Sequence, residues 1–206
     1  MDWLANLVAA LAGYLIGSVS FAMVVSRLFG LADPRSYGSK NPGATNVLRT
    51  GNKAAAALTL AGDALKGSLA VWLAQRYGPV FGVSPFGVAL TGLTAFAGHL
   101  YPLYFRFRGG KGVATFFGVI ALLNPWLALI CGVAWLLIAA FFRFSSVASI
   151  TAALVAVFAQ ALGWGIDGVW LAVAVMAALL IQRHQQNILN LRAGKERRIG
   201  EKTATR

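Results

Sequence analysis

Acidic residues are scarce in this chain. Six Asp and Glu stand against eighteen Lys and Arg in 206 residues, for a formal net charge of +12. No paired carboxylates lie near the glycine-rich segments, which disfavours a phosphotransferase that holds Mg²⁺ with clustered Asp or Glu. Cysteine is nearly absent as well. Cys131, inside an apolar run, leaves neither a disulfide framework nor a cysteine-ligated zinc site. Charged residues of both signs make up 12% of the chain, about half of the roughly 25% that soluble domains use to cover their surface. There is no Gly-x-Ser-x-Gly elbow for a serine acyl-enzyme, no internal repeat and no low-complexity linker. What is present is apolar: 58% hydrophobic and 12% aromatic residues exclude intrinsic disorder. The positive charge does not point to nucleic acid, because it sits in short segments between long apolar runs. The composition therefore predicts one integral-membrane domain over residues 1–206, an all-α polytopic helical bundle with basic loops.

A bilayer core takes about 20 apolar residues per helix. Spans are predicted at approximately 3–27, 54–76, 83–105, 112–123, 125–142, 145–163 and 168–188. Met1-Asp2 supplies no basic leader segment, so the first run is taken as a span rather than a signal peptide. Gly112 to Phe142 is uncharged for 31 residues. As one helix it would be about 46 Å long, too long for a core of about 30 Å. Asn124-Pro125 divides it, since proline removes a backbone donor and bends or stops a helix. Seven spans put sixteen of the eighteen basic residues on one side, for +13 against −1 on the other, with Asp63 and Lys66 cancelling within the membrane. Six would place the basic tail opposite the basic loops. The positive-inside rule then sets the amino terminus outside and the carboxyl terminus in the cytoplasm.

The remaining polar residues gather in three segments that this topology brings to the cytoplasmic face. The first runs Gly38-Ser39-Lys40-Asn41-Pro42-Gly43-Ala44-Thr45-Asn46-Val47-Leu48-Arg49. Read blandly it is a turn-rich connector. Small residues that let backbone amides converge, hydroxyls and a guanidinium also suit a phosphate oxyanion. The second holds Gly98-His99 and then Arg108-Gly109-Gly110-Lys111-Gly112-Val113-Ala114-Thr115. It is not a Walker loop, because glycine follows the lysine. Its glycines would still let backbone approach an anion, with Lys111 and the amide end of the next helix adding positive charge. The third, Arg183-His184-Gln185-Gln186-Asn187-Ile188, ends the last span, and His184 and Asn187, three apart, are expected on one helix face. The bland readings are an interfacial lysine for Lys111, a helix-end cap for His184, and an interhelical hydrogen-bonder for His99. Glu196 is read as pairing with Arg197 or Arg198. Asp63 and Lys66, at i and i+3 within a span, are read as a structural pair, with Lys66 reaching toward the site.

These three segments resemble the cytoplasmic motifs of the bacterial acyl-phosphate:glycerol-3-phosphate acyltransferases, the PlsY family. Ser145-Ser146-Val147-Ala148-Ser149 and the Lys66-Gly67 pair of the second span add to the resemblance, which covers nearly the whole chain. It implies transfer of a fatty acyl group from acyl phosphate to the 1-hydroxyl of sn-glycerol-3-phosphate, giving lysophosphatidate and inorganic phosphate, the first acylation of bacterial phospholipid synthesis. It implies no metal and no nucleotide cofactor. The implied partners are the two substrates, membrane lipid and the enzyme that supplies acyl phosphate, with no nucleic acid. The implied place is the bacterial cytoplasmic (inner) membrane, with the site facing the cytoplasm. Carried over by position, Ser39, Arg49 and Lys111 hold phosphate groups, and His184 and Asn187 lie at the reacting centre. The catalytic set is then Arg49, Lys111, His184 and Asn187. The substrate-binding set is Ser39, Asn41, Gly43, Thr45, Asn46, Lys66, His99, Gly109, Gly110, Gly112 and Ser149. The general base is either His184 or a substrate phosphate oxygen. A transporter of phosphate or organic anions is the rival reading, and it suits basic glycine-rich loops. Transporters, however, place their sites near the midplane between repeated halves, whereas here the motifs lie at one face and no repeat is visible. A non-catalytic membrane scaffold would leave the three motifs without a purpose.

Overall fold

A computed structural model describes residues 3–201, and all regular structure among them is helical. Asp2, Lys202 and Arg206, which enter the charge balance above, lie outside the described residues. In chain order the helices are α1 (Trp3–Gly17), α2 (Phe21–Leu28), α3 (Ala44–Val47), α4 (Lys53–Tyr77), α5 (Pro85–Leu100), α6 (Val113–Leu123), α7 (Pro125–Phe142), α8 (Ser145–Gly163), α9 (Gly168–Arg183) and α10 (Gln185–Arg192). Several starts are written in the sequence. Asn52, Ser84, Asn124 and Asp167 each accept a backbone N–H from the first turn of the helix that follows. Pro85 and Pro125 occupy first helical positions, where a missing N–H costs nothing.

Five helical stretches among the described residues are long and apolar enough to cross a membrane: 3–28, 53–81, 85–105, 125–142 and 145–163. α9 and α10 pass the same test only together, bent by 53°. The 11-residue α6 is apolar but shorter than a bilayer core. Large apolar side chains face outward. Leu129, Val133, Leu136 and Phe141 of α7 are exposed, as are Leu4, Leu7, Val8 and Leu11 of α1. A cluster of large side chains including Phe96, Leu100, Phe116 and Ile120 fills part of the interior, and the closest helix crossings use small residues, as expected where helices must meet without a hydrophobic drive between them. A Cβ on Gly17 of α1 would come 1.9 Å from the Ala95 carbonyl of α5, and one on Gly118 of α6 would come 2.0 Å from the Ala64 carbonyl of α4.

Three spans differ from the sequence expectation. The first is broken: α1 stops at Gly17 and α2 starts at Phe21. Ser18 turns its hydroxyl back to the Tyr14 carbonyl (2.8 Å) and accepts the Leu103 N–H (3.2 Å). Lys66 Nζ donates to the carbonyl of Val19 (2.6 Å), which the break has freed. A broken helix is tolerated at membrane depth because protein groups satisfy its backbone. The third is α-helical only to Leu100, because Pro102 disfavours helical backbone at Tyr101, and a 3₁₀ turn at Leu103–Phe105 completes the stretch to the expected end. The last bends at His184, so α10 leaves the line of α9. The division at Asn124-Pro125 falls where the sequence put it, and the buried Asn124 amide also donates to Gln160 Oε1 (3.0 Å).

Candidate functional site

Folding brings the three polar segments together at one end of the bundle. In the first, Asn46 is the organiser and is 1% exposed. Its Oδ1 accepts the Ser39 N–H (3.0 Å), while its Nδ2 donates to the carbonyls of Pro34 (2.6 Å) and Tyr37 (3.2 Å). The loop is thereby curled so that Ser39 and Thr45 keep their side chains exposed, with Asn41 and Gly43 half-buried. Arg49 packs over Gly38, where a Cβ would come 3.0–3.1 Å from its Cδ and Nη1. Asp33 is taken up by Arg35 through a forked pair at 2.7 Å, which holds the Asp33 carboxyl below its usual range.

The second segment is pinned from several sides. Gly110 N–H donates to the His99 carbonyl (3.1 Å). Arg183 of α9 donates from Nε to the Gly110 carbonyl (3.1 Å) and from Nη2 to that of Gly109 (2.8 Å). A Cβ on Gly110 would lie 3.0 Å from the Pro42 carbonyl, so the first and second segments touch at this residue. Arg106 and Phe107, consecutive left-handed residues, turn the chain sharply into the glycines. Gly112, at φ +86°, then opens α6, a conformation that a side chain would strain. The unpaired first amides of α6 thus follow directly on Lys111.

Lys111 joins the second segment to the third. Its Nζ donates to Asn187 Oδ1, and Asn187 Nδ2 donates to Glu196 Oε1 (2.6 Å). Glu196 also accepts from Ser146 Oγ (2.7 Å). Burial holds the Lys111 ammonium below the usual lysine range. The Glu196 carboxylate opposes this, and the Arg49 and Arg183 cations add to it. Arg49 is likewise lowered, first by partial covering of its guanidinium and then by Arg197, with Glu196 opposing. Neither Arg49 nor Lys111 is within ion-pair distance of a carboxylate among the described residues. His184, 2% exposed, donates from Nδ1 to the Leu180 carbonyl (2.8 Å), which leaves Nε2 as the ring's remaining polar atom.

Not every expected residue lies here. Ser149 donates to the Ser145 carbonyl (2.7 Å) and accepts from Trp135 Nε1 (3.1 Å), while Ser146 is the serine that reaches the Lys111–Asn187–Glu196 line. Lys66 is held by Asp63 (2.9 Å) and the Val19 carbonyl rather than reaching Lys111. His99, 7% exposed, sits behind Gly110. Glu196 binds Ser146 and Asn187, not Arg197 or Arg198, which corrects the expectation drawn from its neighbours in the chain. Arg183 and Glu196 are the two charged residues that sequence reasoning left out of the site. The one available signal was the rarity of acids in a cationic tail, where Glu196 and Glu201 are the two. Among the described residues, no group of three His, Cys, Asp or Glu side chains is placed to hold a metal ion. An open apolar groove of about 620 Å³ runs beside the break in the first span, lined by Ile16, Val19, Leu65, Leu69, Trp72 and the stem of Lys66.

Residues 7–194 match the family model described as glycerol-3-phosphate acyltransferase. Proteins of that name from Cupriavidus necator and Ralstonia nicotianae are 60% and 61% identical. The first match covers 97% of this chain and 98% of the relative, the second 96% of each. Two crystal structures of PlsY, an integral membrane glycerol 3-phosphate acyltransferase, share the fold. The glycerol 3-phosphate form has a TM-score of 0.87 at 38% identity, over 95% of this chain and 96% of that one. The lysophosphatidic acid form has a TM-score of 0.86 at 37% identity, over 95% of each.

Proposed function

The chain belongs to the glycerol-3-phosphate acyltransferase family, and from that premise we propose that its acyl donor is an acyl phosphate and its second product inorganic phosphate. The observation that carries this reading is that Arg183 grips the glycine-rich loop of Lys111, Arg49 over Gly38 lies near enough to act on the Lys111 charge, and no carboxylate is paired to Arg49 or Lys111 among the described residues. A site that serves two phosphate-bearing molecules needs cations left free for them. In the proposed step the 1-hydroxyl oxygen of glycerol-3-phosphate bonds to the acyl carbon. The bond from that carbon to the bridging phosphate oxygen breaks, and the hydroxyl proton ends on the released phosphate. It gets there directly or by way of His184 Nε2. Lys111 and Arg49 neutralise charge on the leaving phosphate, and a preorganised cation or donor of this kind is worth about 10²–10³ in rate. Asn187, fixed by Glu196, orients Lys111, while Ser39, Asn41, Thr45 and the amides that open α6 form the shell around a phosphate.

The same proposal carries the setting. Seven crossings, an amino terminus outside and a site facing the cytoplasm of a bacterial inner membrane are supported by the one-sided basic loops. The apolar groove beside α4 suits an acyl chain arriving from the bilayer.

The test is direct. Purified protein given palmitoyl phosphate and glycerol-3-phosphate should release lysophosphatidate and phosphate in equal amounts, and Lys111→Ala should lose about 10²–10³ of that rate. No product from a folded sample, or full activity in Lys111→Ala, overturns the proposal. A His184→Gln variant with unaltered turnover and pH dependence removes the route through the imidazole.

A further inference from the structure

Asp63, Lys66 and His99 lie inside the bundle, at 3%, 3% and 7% exposure, and the chemistry proposed above uses none of their charges. Buried ion pairs are poor stabilisers, because desolvation offsets their attraction. Ionisable groups within a membrane bundle are for that reason candidates for a task. Here the group touches both ends of the loop that carries Lys111. His99 Nδ1 lies 3.5 Å from Asp63 Oδ1. The far edge of the same ring faces the loop, since a Cβ on Gly110 would come 2.2 Å from His99 Nε2. The His99 carbonyl accepts the Gly110 N–H. Beyond Lys111, Thr115 Oγ1 in the first turn of α6 donates to the Asp63 carbonyl (2.8 Å). Lys66 holds Asp63 at 2.9 Å and anchors itself on Val19.

We propose that Asp63, acting through the His99 ring, positions the Gly109–Gly110–Lys111 loop, so that Asp63 and His99 are positioning residues for the phosphate site. The ring is the seat on which Gly110 rests, and Arg183 clamps the Gly110 carbonyl from the other side. The Asp63 carboxylate faces the ring at 3.5 Å and biases its orientation electrostatically, and the Lys66 ion pair holds Asp63 in place. Gly110 is required for space rather than for conformation, because its φ is not in the left-handed region. Any added carbon there must push against the ring.

The inference rests on the function proposed above, and a coupling experiment separates the two. The full-length protein is compared as wild type, Gly110→Ala, His99→Ala and the double variant, with kcat and KM for glycerol-3-phosphate read from lysophosphatidate formation. His99→Asn serves as a second background. It keeps a polar group toward Asp63 but withdraws the edge that faces Gly110. A displaced loop costs on the order of 100-fold in kcat/KM, so Gly110→Ala should lose about that much when the ring is present. With the ring shortened or removed, the same change should cost only a few-fold. Asp63→Asn paired with Lys66→Met, which removes both buried charges together, should lower kcat/KM in the His99 protein and add little on the His99→Ala background. Independent, multiplicative losses overturn the inference, as do variants that lose thermal stability at unchanged kcat/KM. A folded wild type that makes no lysophosphatidate fails the proposed function instead.

Discussion

Lys111 owes its chemistry to company it does not keep in the sequence. Its neighbours in the chain are glycines, which let it be buried. Its partner Asn187, and Glu196 behind that, arrive from the far end of the chain. Burial disfavours the charged ammonium, so Lys111 loses its proton, and with it the proposed pull on phosphate, at a lower pH than an exposed lysine would. Glu196 is the group that opposes this. In Glu196→Gln the burial and the two arginines remain while the opposing carboxylate is gone, so the proton leaves Lys111 at still lower pH. The alkaline limb of kcat/KM should therefore move to lower pH in a pH–rate profile, and an unmoved limb would show that Lys111 is not the group that sets it. Lys111 could be picked out from the sequence because a lysine set among three glycines is conspicuous. Glu196 could not, because Ser146 is 50 positions away and the nearer candidates, Arg197 and Arg198, were the wrong ones.

At the scale of helices, sequence signals were reliable where the signal is local. Asn124-Pro125 is such a case: a cap and a proline that need no partner elsewhere to end one helix and start the next. Asn124→Ala should cost about 1 kcal/mol for the lost cap. It should also cost about 1–3 kcal/mol for leaving the buried Gln160 without its donor, read as a lowered Tm in detergent. A Tm equal to wild type would show that neither bond contributes. The break at Gly17–Phe21 was not legible for the opposite reason. Twenty-four uncharged residues read as one crossing, and the groups that make the interruption tolerable, Lys66 and the Leu103 N–H, come from α4 and from the turn after α5. The bend at His184 has the same character, since the ring must find both burial and the Leu180 carbonyl.

The whole molecule coats its outside with large apolar side chains, while its interior joins close glycine and alanine contacts to a packed cluster that includes Phe96, Leu100, Phe116, Ile120 and Leu127. Its proposed orientation can be tested by labelling, because the native Cys131 is fully buried and gives little background. Cysteine placed at Ser36, in the exposed loop before the first motif, should react with a membrane-impermeant maleimide only when the cytoplasmic side is open. Cysteine at Ile166, exposed between α8 and α9, should react in intact cells. Labelling of both from the same side would overturn the seven-crossing arrangement. The sequence by itself determined the membrane class, the helical architecture, most helix positions and the three polar segments. These follow from composition, the lengths of apolar runs, the placement of charge and a proline break, which are properties of neighbours in the chain. Only the tertiary structure decided which residues meet. Burial, cation crowding and hydrogen-bond reach depend on distances through space, so Arg183 and Glu196 joined the site, while Lys66 and Ser149 found their partners elsewhere. The scarcity of acids acquires a local meaning in the same way: the carboxylate near Lys111 is bound by Asn187, Asn190 and Ser146, and neither Lys111 nor Arg49 is paired with it.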